Sequence, residues 1–208
     1  MSNSSLIRWG GLSLLVAGIA NVLFWLLVIP IGTFAGADAA LNSLWVPSQL
    51  FHTLAALLAL FGLVGLYARL GDQGGRLELT GFVLALFGTA LYLADAVIAL
   101  VVFPIAATNA PSLIATDCAL NMSPAYVAFG ANFMVGYILY GIALLRANVL
   151  PRAAILLLLV GAILPNLPPS LLPMSILIIG GVIWGIGATW LDYELLARKN
   201  AGKQVGSK

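Results

Sequence analysis

The chain has 208 residues, of which 62% are apolar and 8% charged, against roughly 45–50% and about 25% in an average soluble domain. Seven acids and nine bases cannot clothe a water-facing surface of that size, and the mean hydropathy is +1.09. Water-soluble classes are excluded, and the expected fold is all-α: a polytopic transmembrane helical bundle.

A helix needs about 20 apolar residues to cross the hydrocarbon core, and six segments are candidates. The first runs from Ile7 to Ile29. Its apolar stretch of about twenty residues exceeds the roughly 7–15 of a signal-peptide core, which predicts a retained signal anchor. Val46 to Leu70, Leu77 to Ile105 and Ser123 to Leu145 follow. The fifth, Arg152 to Leu164, is short, because Pro165, Pro168, Pro169 and Pro173 break the pattern beyond it; a kinked or partly unwound span is expected there. The sixth is Met174 to Leu196. Residues 1–197 then form a six-helix transmembrane domain and 198–208 a basic cytoplasmic tail.

Six crossings with both termini on one face gather Arg8, Arg69, Arg76, Arg146, Arg152, Arg198, Lys199, Lys203 and Lys208 on that face. The opposite loops keep Asp38 and Asp117 and no base. The positive-inside rule makes both termini cytoplasmic, and the expected location is the plasma membrane, of the bacterial inner-membrane kind. A re-entrant fifth segment would put the basic tail outside, which argues for a full crossing. The net charge of +2 needs no nucleic acid, because the tail bases are held by lipid headgroups. Trp45 at one boundary and Trp9, Trp190 and Tyr193 at the other suit aromatic belts. The spacing also suggests a hairpin repeat: Pro47 to Arg69 and Pro124 to Arg146 both span 22 residues, and Gly11 to Gly18 matches Gly81 to Gly88. Any short-looped bundle with Arg at its cytoplasmic ends gives a similar pattern.

Polar groups in lipid are costly, so those inside spans come first in a search for function. Asn21, His52, Asp95 and Asn132 lie one in each of the first four spans. Counting along each helix at about 1.5 Å per residue, Asn21 and Asp95 lie nine residues before Pro30 and Pro104, Asn132 eight beyond Pro124, and His52 five beyond Pro47. One layer in the outer half of the bilayer is expected. Steps of three and four put Asp95 with Gly81, Ala85, Gly88, Tyr92 and Ala99, and His52 with Ser48, Ala55, Ala59 and Gly62. Small residues line close helix contacts, so the polar side chains are expected to point inward. An Asp95–His52 pair follows, with His52 the titrating partner and Tyr92 on the same face. The competing role is plain interhelical hydrogen bonding, worth about 0.6 kcal/mol each.

Tyr92, Tyr126, Tyr137, Tyr140 and Trp25 either border a pocket or fill the bundle. The run PNLPPSLLP, Pro165 to Pro173, is either a cavity mouth or a plain outer turn. Gly181 and Gly185 form a GxxxG motif, which closes a contact inside the chain or meets a second copy or a membrane partner.

The single cysteine, Cys118, makes no internal disulfide, and no Cys/His cluster offers a metal site. No metal and no cofactor are expected. All three lysines lie in the tail, which removes a retinal Schiff base, and one histidine cannot ligate haem twice. GxSxG, P-loop and Asp-rich diphosphate motifs do not occur. Three functions stay open. The first is binding, extended to translocation, of a small or amphiphilic ligand from the outer side at Asp95, His52, Asn21, Asn132 and Tyr92. The second is an enzyme for a lipophilic substrate, with Asp95 as general acid and His52 as base. The third is a non-catalytic subunit, which calls for a dry, filled bundle and a large exposed apolar groove. The inner halves of the spans read as mostly Leu, Ala and Gly, against a complete hydrophilic pathway.

Overall fold

In lipid a backbone N–H or C=O without a partner costs several kcal/mol, so each apolar run closes its own hydrogen bonds as helix. A computed structural model describes residues 3–33, 36–71, 75–114, 124–167 and 171–205, with side chains from residue 5 onward except at 124–127 and 194–205. The helices are α1 (Asn3–Ile31), α2 (Ala37–Leu41), α3 (Trp45–Leu70), α4 (Gly75–Asn109), α5 (Pro124–Ala147), α6 (Arg152–Ile163) and α7 (Met174–Val205). Turns of 3-10 helix follow α4 at Pro111–Ile114 and α6 at Leu164–Asn166. No strand occurs among the described residues. Five helices, α1, α3, α4, α5 and α7, are long and apolar enough to cross a bilayer, and the chain is a multi-pass membrane protein.

Helix ends sit where the sequence supplies a residue that tolerates the left-handed conformation. Gly71, at φ +59°, closes α3, and Asn148, at φ +51°, follows α5. The expected shortness of the fifth segment is present: α6 has 12 residues, about 18 Å at 1.5 Å per residue, against a core of about 30 Å. Asn166 Nδ2 donates to Ala162 O at 2.9 Å and so satisfies a carbonyl at the interrupted end.

The long helices pair as consecutive antiparallel hairpins, α1 with α3, α4 with α5, α6 with α7, and α7 returns to α1 while α5 touches α6. The result is a closed ring of six helices around one core. Antiparallel order fixes the register of α4 on α5: Gly81 meets the backbone of Tyr140, Gly136 that of Ala85, and Gly88 that of Phe133. It also brings Arg8, Arg69, Arg76, Arg146 and Arg152 to one end of the bundle. Ala17, Ala59, Ala85, Ala154 and Ala188 are buried inside the ring, as close packing without a hydrophobic drive between helices requires. Helix α7 continues through residues 198–205, so the start of the basic tail is helical. Cys118 and Asp117 lie outside the described residues, as do Pro168 and Pro169.

One expectation changes, and two open alternatives gain an observation. Trp45 is not a belt residue: it is buried, donates from Nε1 to Ala99 O at 2.9 Å and stacks on Phe103. It belongs to a small second core in which α2 packs on the far third of α4 through Ala39, Ala40, Ala106 and Ala107. Trp9, Trp190 and Tyr193 are exposed, as a belt demands. Gly181 and Gly185 close a contact inside the chain, the first of their two expected roles. Gly181 lies against the ring of Trp25, and a Cβ on Gly185 would sit 2.6 Å from Gly18 O; the motif is used up in the contact between α1 and α7. Hairpin pairing recurs, yet the matched glycines do different work, because Gly18 meets α7 whereas Gly81 and Gly88 meet α5.

Candidate functional site

At the centre of the ring, large rings from five helices converge and cannot tile the space. Asn21 and Trp25 come from α1, His52 with Ala55, Ala56 and Ala59 from α3, Thr89 and Tyr92 from α4, Phe133 and Tyr137 from α5, and Gly181 and Trp184 from α7. Pro165 and Asn166 complete the lining, because α6 stops at this level and exposes its terminal turn to the cavity. The partly open cleft has about 30 Å³ free. That holds a hydroxyl group or a water or two, since about 10–15 Å³ of such space accommodates one water.

His52 is 6% exposed and is held on three sides. Phe24 stacks on its ring at a centroid distance of 4.2 Å, with 12° between planes, and Tyr92 meets it edge-on at 4.8 Å. The contacts continue from Tyr92 to Phe133 at 5.1 Å, to Tyr137 at 4.4 Å and to Trp184 at 6.3 Å. Gln49, one turn before His52 and also buried, places Oε1 3.3 Å from His52 Nδ1. An amide oxygen only accepts, so the tautomer that satisfies this contact carries its proton on Nδ1 and leaves Nε2 as an acceptor. Nε2 has no partner among the described residues, and neither has the indole Nε1 of Trp184. An indole N–H only donates. Two residues of the cavity wall thus each carry a buried ring nitrogen, one acceptor and one donor, without a partner among the described residues.

Asn21, His52 and Tyr92 do meet in this cavity. Asn21 Nδ2 donates to Gly181 O at 2.7 Å, which locks α1 to α7 at the cavity level. Asn132 is half-buried beside the cavity, with Nδ2 3.3 Å from Leu84 O on α4. Asp95 is half-buried and does not line the cavity; it interacts electrostatically with Tyr92 one turn earlier. The expected hydrogen bond between Asp95 and His52 is not made, since Nδ1 faces Gln49 and Nε2 has no partner. The physical reason is that the ring of Tyr92 occupies the place beside His52. Pro165 and Asn166 belong to the cavity wall, which favours the mouth over the plain turn. The side chain of Tyr126 lies outside the described residues, and Tyr140 is buried below the cavity.

Several site residues have no signal in the sequence. Thr89 donates to Ala85 O at 2.7 Å and shares a hydrogen bond of 3.2 Å with Tyr137 OH. Gln49, Trp184 and Asn166 become visible only once the helices are paired. The arginine-bearing half, expected to be apolar, buries Glu78 at 2% and Asp192 at 0% exposure. Neither oxygen of Asp192 has a partner among the described residues. No group of three or more His, Cys, Asp or Glu that could hold a metal ion occurs among the described residues. The chain matches no protein-family model, and no curated protein and no solved structure is significantly similar to it.

Proposed function

We propose that the protein binds a small amphiphile bearing one hydroxyl group, with an apolar or aromatic body, in the central cavity. The observation that carries this reading is the pair of unsatisfied ring nitrogens, His52 Nε2 and Trp184 Nε1, on one aromatic cavity. A hydroxyl is the smallest group that donates to the first while accepting from the second. The free volume fits that headgroup, and the ligand body would lie toward the opening beside Pro165 and Asn166. Asn21 and Asn132 hold the helices around the site, and Asp95 acts through Tyr92 as a nearby counter-charge. Loading is from the leaflet opposite the arginines, which the positive-inside rule makes the outer leaflet of the plasma membrane.

Three probes separate this reading from nonspecific partitioning: para-hexylphenol, para-hexylanisole and hexylbenzene, titrated onto the detergent-solubilised protein with tryptophan fluorescence as readout. The phenol both donates and accepts, the ether only accepts, and the hydrocarbon does neither. Two hydrogen bonds of about 0.5–1.5 kcal/mol each correspond to a preference of about 5- to 150-fold for the phenol over the hydrocarbon, with about 25-fold at the middle of that range. Equal affinity for all three would remove the proposal. A second reading, a non-catalytic subunit, draws on a different observation: a groove of about 580 Å³ between α1 and α7, lined by Ile19, Leu23, Ile186, Trp190 and Tyr193. That reading gains if none of the probes binds and the protein co-purifies with another membrane protein across that groove.

A further inference from the structure

Two buried polar residues outside the cavity, Glu78 and Tyr140, lie along one line with Thr89 and Tyr137 of its wall. On α4, Glu78, Gly81, Ala85 and Thr89 are all buried and recur at steps of three and four, so they share the face that meets α5. On α5, Tyr137 and Tyr140 are three residues apart and fully enclosed. The close approach of Gly81 to the Tyr140 backbone holds the two stripes together. Thr89 and Tyr137 share a hydrogen bond of 3.2 Å, and both line the cavity with His52. One turn further toward the arginine-bearing end, the Tyr140 hydroxyl is buried without a partner among the described residues. The titratable groups in electrostatic contact with it are Glu78 from α4, Tyr67 from α3 and Tyr137 from its own helix. Around His52, Tyr92 is the titratable neighbour on the facing helix, with Asp95 beyond it in contact with Tyr92.

We propose that this seam conducts protons between the arginine-bearing face and the cavity, with Glu78 as the donor and acceptor at one end and His52 at the other. A proton leaving the Glu78 carboxyl is taken up by a water bridging to Tyr140. The hydroxyls of Tyr140 and Tyr137 each accept one proton on a lone pair and release their own; Thr89, whose hydrogen rests on Ala85 O, accepts from Tyr137, turns its own hydrogen from that carbonyl to a cavity water, and the water protonates His52 Nε2. Glu78 is then a carboxylate and His52 an imidazolium whose Nδ1–H still donates to Gln49. Waters are needed where side chains are more than a hydrogen bond apart, and a buried hydroxyl without a protein partner is where an ordered water belongs. The inference rests on the binding reading only for the identity of its terminus; the conduit itself needs no ligand.

The test uses the full chain reconstituted in liposomes with an internal pH dye and a potassium diffusion potential set by valinomycin. Wild type is expected to pass protons well above protein-free liposomes. E78Q and Y140F are each expected to lower that flux at least tenfold, while E78D retains much of it and D192N, a buried acid on α7 outside the seam, leaves it unchanged. Y140F keeps the ring and so separates loss of the hydroxyl from loss of packing, and thermal melting of each variant checks folding. Wild-type flux equal to that of empty liposomes overturns the conduit, as does full flux in folded Y140F. Adding para-hexylphenol keeps the two proposals apart: flux that persists with no response to the phenol sinks the binding reading alone, whereas phenol binding without flux sinks the conduit alone.

Discussion

The two ends of the ring are closed by different means. Near the arginines backbone meets backbone: a Cβ on Gly65 would sit 2.6 Å from Gly10 Cα, and one on Gly81 2.5 Å from Tyr140 N. At the cavity such contacts continue behind the wall, with Gly88 on the Phe133 backbone and Gly161 on that of Trp184, but inside it rings meet rings, from Phe24 through His52, Tyr92, Phe133 and Tyr137 to Trp184. Between membrane helices, packing rather than hydrophobic drive supplies association. Glycine contacts therefore do most of the holding, and the aromatic layer is free to leave a gap with unsatisfied nitrogens. The difference separates stability from binding within one bundle.

The sharpest break of that division is Gly81→Ala. The added methyl meets main-chain atoms that cannot rotate aside, and a loss of about 1–3 kcal/mol is expected in a denaturant titration of the solubilised protein. Gly130→Ala is the matched control: its nearest neighbour would be Asn166 Oδ1 at 3.7 Å, so stability should not change. At the cavity the pattern reverses. Trp184→Phe removes a donor with no partner among the described residues but also thins the buried cluster it belongs to, so the melting temperature should fall less than for Gly81→Ala, while para-hexylphenol binds about fivefold more weakly. A melting temperature that falls as far as for Gly81→Ala would make Trp184 a packing residue. Gln49→Leu leaves both ring nitrogens of His52 without a fixed proton position, and a smaller loss of phenol affinity, about twofold, should appear in the same titration. The smallest effect is expected for Asn132→Ala, whose single interhelical bond is worth about 0.6 kcal/mol in unfolding and nothing in binding.

The six apolar segments, the short fifth span and the shared arginine face were legible because each depends on one local property: run length, proline position or charge. His52 and Asn21 were legible for the same reason, since a polar residue in a span stands out by itself. Asp95 does not line the cavity. Charge marked it, but Tyr92, on the same helix face, takes the place beside His52. Trp184 and Gln49 could not be read in advance. A tryptophan in an apolar run carries no signal, and its place in one cavity with His52 depends on α7 returning to α1 after the whole chain has turned. Glu78 stands close to the charged turn, where an acid is ordinary in sequence; the register of α4 on α5 is what buries it.

The most direct test of the central claim uses the fact that the chain has one histidine, so nitrogen-15 NMR of histidine-labelled protein reports His52 alone. The account predicts a neutral ring protonated at Nδ1, with an Nε2 resonance that moves on saturation with para-hexylphenol and stays put with hexylbenzene. A proton found on Nε2 instead, or an Nε2 resonance indifferent to the phenol, would contradict it.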